Sequence, residues 1–134
     1  ADGPPDQRAK ALAIIGLQLG SRGPDVLYEI AHSNSAARAD ARALLGSDSV
    51  KRLATPALLI AHELREAATC DQKAALLDRV VQHGDERCIE ILQPLTAGKR
   101  SGCGFLNLGA CPAPCHAQAG RMQQAITAIR ARKK

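Results

Sequence analysis

Between Thr55 and Thr69 the residues Ala57, Ile60, Ala61, Leu64, Ala67 and Ala68 follow one another three or four positions apart, apart from neighbouring pairs. That spacing lines one face of an α-helix and is incompatible with a strand, whose faces alternate every second residue. Thr55-Pro56 supplies an N-cap followed by a first-turn proline, so the helix start is also specified.

The same periodicity recurs through the chain. Leu12, Ile15, Gly16 and Leu19 form an inward face that Gly20 to Gly23 terminates. Pro24 then opens a helix with Leu27, Ile30 and Ala31 inward. Ser35 caps a third helix bearing Ala37, Ala41, Leu44 and Leu45, and Gly46 ends it. A short turn follows Ser47 through Val50 and Leu53. Thr69 and Gln72 have capping-box spacing ahead of Leu76, Leu77, Val80 and Val81, with Gly84 as a left-handed terminator. Asp85 caps a helix carrying Cys88, Ile91, Leu92 and Leu95 up to a break at Pro94 and Gly98. A last helix from about Gln118 turns Met122, Ala125, Ile126 and Ile129 to one side.

Composition supports an all-α reading: the 134 residues include one Phe, one Tyr and no Trp, and Ala and Leu dominate the apolar set. Such residues lose little entropy in helices, while pleated surfaces favour the aromatic and β-branched types that are scarce here. The stretches Gly23 to Ile30 and Gly84 to Ile91 are weakly alike. Antiparallel helix pairs are expected, as a HEAT-like repeat or an irregular bundle. The length fits a single helical domain. Its body spans 6–97, a Cys/Gly/Pro-rich loop 98–117, and a terminal helix with a basic tail 118–134. Ala1 to Pro5 reads as a linker end.

The formal charge is +5, and Arg130, Arg132, Lys133 and Lys134 carry most of the excess. A tail of this kind is expected to be solvated, and the lack of aromatic stacking residues argues against nucleic acid. The longest apolar run, Leu53 to Ala61, is too short to span a bilayer, so a membrane enters only through a parent chain. The start at Ala1, without Met or a signal pattern, reads as a piece of a longer protein.

Chemical motifs are few. His62-Glu63-Leu64-Arg65-Glu66 begins like a zinc-protease helix, but Glu66 stands where the second imidazole is required, so polar positions on an amphipathic helix explain it better. His32, His62, His83 and His116 occupy separate segments without ligand spacing, and His83 sits at a helix C-terminus, where the dipole favours a cation. No nucleophile elbow, phosphate loop or carboxylate pair occurs. No catalytic, cofactor-binding or metal residue is therefore expected, and no enzyme activity.

The cysteines carry more information. Cys88 falls in a helical stripe and reads as a buried free thiol. Cys103, Cys111 and Cys115 lie in the non-periodic loop, and Cys70 is at a helix start. For these four, disulfides are the leading reading, ahead of free thiols and of zinc, because crosslinks would order a segment with no helix or strand of its own. The zinc alternative would make the chain an intracellular helical adaptor. Against it, the Cys-x7-Cys-x3-Cys-His spacing matches no common zinc knuckle. A small redox protein using Cys111 and Cys115 is a third possibility. Four cysteines allow three pairings and the sequence does not choose among them, although Pro112 and Pro114 stiffen the stretch between Cys111 and Cys115.

Taken in order, several stretches resemble the non-catalytic C-terminal portion of myxobacterial receptor-type serine/threonine protein kinases, from about Leu19 to Ile129. They are Gly23-Pro24-Asp25-Val26-Leu27-Tyr28, Ala37 to Leu45, Leu64-Arg65 with Thr69-Cys70, Gly84-Asp85-Glu86-Arg87, Leu92 to Thr96, and Gly102-Cys103-Gly104-Phe105 with its later cysteines. Two positions depart from that pattern: Cys88, where an apolar residue is expected, and the three residues between Cys111 and Cys115. The resemblance implies a cytoplasmic kinase domain N-terminal to this chain and a membrane segment between them. It also implies an extracytoplasmic, periplasmic place, consistent with disulfides; without kinase and disulfides the place would be cytoplasmic. The implied role is sensing, dimerisation or docking, with a protein as partner.

Overall fold

In the computed structural model, which describes residues 5–20 and 22–132, the fold is all-α with one small two-stranded ribbon. The chain divides into two compact units, 1–59 and 60–134, and the division falls within one helix.

The first unit begins with α1 (Pro5–Gln18) and α2 (Arg22–Ala31), followed by α3 (Arg38–Leu45) and α4 (Asp48–Leu53). α1 ends before Gly20, whose φ of 62° is the left-handed conformation that favours glycine. Leu19, expected inward, lies beyond the helix end and is exposed. α2 packs on α1 and α3 through buried Leu27, Tyr28 and Ala31. The Tyr28 and His32 rings meet edge-on at 4.6 Å, one turn apart.

Ser35 caps a preliminary turn: its hydroxyl accepts from the Ala37 amide at 3.1 Å, and regular helix starts at Arg38. Ala37, Ala41 and Leu45 fill the inner face. Gly46 ends α3 in a right-handed conformation, with φ −79°, and Gly84, expected as a left-handed terminator, is extended, with φ −64° and ψ 153°. The Ser47 hydroxyl receives the Val50 amide, starting α4 at once and leaving no room for a reversal.

α5 (Pro56–Glu66) has Thr55 Oγ1 accepting from the Leu58 amide at 3.2 Å, and it buries Leu58, Ile60, Ala61 and Leu64. α6 (Cys70–Ala75) opens with a complete Thr69/Gln72 capping box. The helix expected to run on from there is two: α7 (Leu77–His83) starts after a tight turn in which the Leu76 amide bonds to the Lys73 carbonyl, three residues back. Ala74, Leu77 and Val80 are all buried, and a spacing of three suits a tightened turn better than an unbroken α-helix. Val81, expected inward, is exposed. The Lys73 ammonium donates to the Leu64 carbonyl at 2.6 Å, and burial, followed by the nearby Arg65 charge, lowers its pKa. Arg79 pairs with Glu63 at 2.6 Å, linking α7 to α5 on the surface, where such a pair adds little stability.

α8 (Glu86–Thr96) is capped by Asp85, which accepts from the Arg87 amide at 3.0 Å. It runs through Pro94 and does not break there. Pro94 and Glu90, the residue whose carbonyl loses its donor, are both on the exposed side, where a missing helix bond costs least. α9 (Ala119–Arg132) lays Met122, Ala125, Ile126 and Ile129 against α7 and α8, all four buried.

The basic tail is not simply solvated. The Arg132 guanidinium donates to the carbonyls of Val81 and Gly84, covering the C-terminal end of α7, where carbonyls lack partners and the helix dipole favours a cation. Lys133 and Lys134 lie outside the described residues.

Candidate functional site: a clasped hairpin at the C-terminal end

Two disulfides organise the segment between α8 and α9. Cys70, the first residue of α6, bonds Cys115 with Cα atoms 5.5 Å apart, and Cys103 bonds Cys111 with Cα atoms 5.3 Å apart. Cys88 is the free cysteine and is buried in α8. With Cys111 and Cys115 in different bridges, they are not a dithiol pair, and none of the four bonded sulfurs is a thiolate available to zinc.

The Cys70–Cys115 bridge is held by a capped helix on one side and by backbone and side-chain hydrogen bonds on the other. Thr69 fixes the start of α6. The Cys115 amide bonds the Leu95 carbonyl of α8 at 3.1 Å, and Gln118 donates to the Asp71 carboxylate at 2.7 Å beside the bridge. Cys115 is itself buried. The bridge therefore ties the entry to α9 to both α6 and α8.

The segment expected to lack helix and strand forms a hairpin instead. β1 (Lys99–Cys103) pairs antiparallel with β2 (Gly109–Cys111) in the register Lys99 to Cys111 and Cys103 to Gly109, with an irregularity between. Glycine is required where the strands close: a Cβ on Gly98 would sit 2.3 Å from the Cys111 carbonyl oxygen. Gly102 and Gly104 take φ of 108° and 76°, bending the ribbon into its tip.

At that tip Phe105, Leu106 and Leu108 are 85%, 71% and 74% exposed. Leu106 and Asn107 hold φ of 56° and 57°. Asn tolerates the left-handed region, but a leucine there costs about 1 kcal/mol. Sequence reasoning missed this feature because β2 is only three residues long and largely exposed, too short to impose a visible alternation. The available signals were Gly102 and Gly104 flanking Cys103, and an apolar Phe-Leu-Asn-Leu run inside a pair of cysteines.

Burial pushes the Cys88 thiol up to about 11, which keeps it protonated and inert at neutral pH. The unfolded thiol ionises near 9, so between about pH 9 and 11 the unfolded chain releases a proton that the native one keeps. Stability from this group is intact below pH 9 and falls by about 2 kcal/mol as pH approaches 11. Urea titrations of wild type and Cys88→Ala at pH 8 and pH 10.5 measure it. The gap between them should move in favour of the variant at the higher pH.

No helix among the described residues is long and apolar enough to cross a membrane. Two disulfides are the mark of a chain matured under oxidising conditions outside the cytoplasm. No protein-family model, curated protein or solved structure matches the chain.

Proposed function

We propose that this chain is a non-catalytic interaction or sensor domain of a bacterial receptor-type serine/threonine protein kinase, exposed on the extracytoplasmic side. The observation that carries the interaction role is the hairpin tip. Three large apolar side chains are held in solvent on a strained backbone, inside a loop closed by a disulfide. A fold gains nothing from that arrangement by itself, and strain retained together with exposure is typical of binding elements. The periplasmic place is supported by the two bridges. The kinase parent is supported by the order of the motifs between Leu19 and Ile129.

The parent is tested by capture. An antibody raised against this domain should pull down one longer polypeptide whose tryptic peptides include a protein-kinase catalytic domain. That polypeptide should resist alkylation at Cys70, Cys103, Cys111 and Cys115 until it is reduced. Capture of a polypeptide without kinase peptides would overturn the assignment.

A further inference from the structure

We propose that the tip of the Cys103–Cys111 hairpin is a membrane-surface anchor, inserting Phe105, Leu106 and Leu108 into the headgroup and upper acyl region of an anionic phospholipid bilayer. This rests on reading the chain as a module that works through its exposed surfaces.

The first argument is shape and area. The three side chains project from a narrow ribbon and expose on the order of 400 Å² together, whereas a specific protein interface needs about 800 Å² on each partner. A bilayer makes no such demand. It accepts a small apolar wedge without a complementary pocket, and binding grows with the apolar area buried.

The second argument is charge. The stretch from Ile91 to Lys134 contains seven of the 18 Lys and Arg residues and none of the 13 Asp and Glu. Lys99 and Arg100 lie in the strand that leads into the tip. In sequence, the stretch that carries the apolar wedge is thus the cationic one, even with Arg132 held at the end of α7, and basic charge next to an apolar wedge is the combination that partitions to anionic lipid. Residues 1–90, with 11 basic and 13 acidic residues, have the opposite balance.

The third argument is rigidity. The disulfide and the left-handed Leu106 and Asn107 restrict the backbone of a loop whose three apolar side chains are exposed. Insertion therefore requires little reorganisation of the loop, and ordering costs are what most weaken binding by a flexible segment.

Co-sedimentation of the oxidised chain with vesicles tests the idea, using phosphatidylcholine alone and phosphatidylcholine with about 30 mol% phosphatidylglycerol. The chain should sediment with the anionic vesicles, and binding should weaken in high salt. The triple variant Phe105→Ser, Leu106→Ser, Leu108→Ser should bind at least about tenfold more weakly, because the apolar term is lost. Its far-ultraviolet circular dichroism and melting temperature should match wild type, since the three side chains are solvent-exposed. Failure of the wild type to bind anionic vesicles, equal binding to neutral ones, or undiminished binding by the triple variant would overturn the proposal. So would a solution dimer that dissociates in the triple variant, which would make the tip a protein contact. None of these outcomes bears on the kinase parent, which the antibody capture decides separately.

Discussion

Replacing Cys70 and Cys115 together with serine is expected to lower the stability of the C-terminal unit by about 4 kcal/mol, the loop-closure entropy for a bridge between residues 45 apart in sequence. That is a large share of the stability of a domain this size. The same change at Cys103 and Cys111, eight apart, removes a shorter loop and should cost about 2.5 kcal/mol. Denaturant midpoints of the two double variants, read by circular dichroism, provide the comparison. The order of the two effects is the diagnostic result. Equal losses would mean that the Cys70–Cys115 bridge does not constrain the chain over its full separation. The readouts also separate by location. Removing the first bridge frees the entry to α9 from α6, so amide exchange should rise along α9. Removing the second should leave α9 protected and loosen only residues 99–111. Serine also places a hydroxyl where Cys115 is buried, so an alanine version at that position distinguishes the entropy of the bridge from the burial of a polar group.

The helices were legible because burial on one face forces a period on the sequence. Met122, Ala125, Ile126 and Ile129 are spaced as a helix face, and all four are buried. Caps were legible for a different reason. A side chain that completes a helix terminus must sit at a fixed offset, as Thr69 with Gln72 and Asp85 ahead of Arg87 do. Where no such constraint acts, the sequence carried less. Leu19 and Val81 continue an apolar period, yet both are exposed, since a period does not say where its helix stops or how wide the covered stripe is. The join at Leu76 was hidden because residues spaced by three satisfy both an α-helix and a tighter turn. Arg132 looked like one more charge in a frayed tail, and only the position of α9 against α7 puts its guanidinium at the Val81 and Gly84 carbonyls. The pairing of the cysteines was likewise invisible, because it depends on which loops the fold brings together.

The two helix-ending glycines illustrate the same limit, and they yield the other large expected effect. Gly46 and Gly84 look alike in sequence, each closing an amphipathic helix. Neither has the positive φ that would make glycine necessary for the backbone: Gly46 has φ of −79° and Gly84 of −64°. What separates them is space. A Cβ on Gly84 would lie 2.5 Å from the Val80 carbonyl oxygen and 3.1 Å from both Ile129 Cδ1 and Val80 Cγ1. The oxygen belongs to the backbone of α7 and cannot give way cheaply, and Ile129 on the buried face of α9 has little room to turn aside. Gly84→Ala should therefore cost about 3 kcal/mol, at the upper end of the range for forcing extra volume into a packed site. Gly84 is also one of the two carbonyls that Arg132 covers, so a shift here weakens that cap as well. At Gly46 the nearest atom to a new Cβ is the Ala43 carbonyl oxygen at 3.4 Å, an ordinary contact. Gly46→Ala restricts the unfolded chain without crowding the folded one, and should raise stability by about 0.5 kcal/mol. Urea denaturation of the two variants in parallel gives the result: opposite signs, with Gly84→Ala several times larger. A loss at both positions would mean that the packing of α9 over Gly84 does not account for the effect, since Gly46 has no such packing.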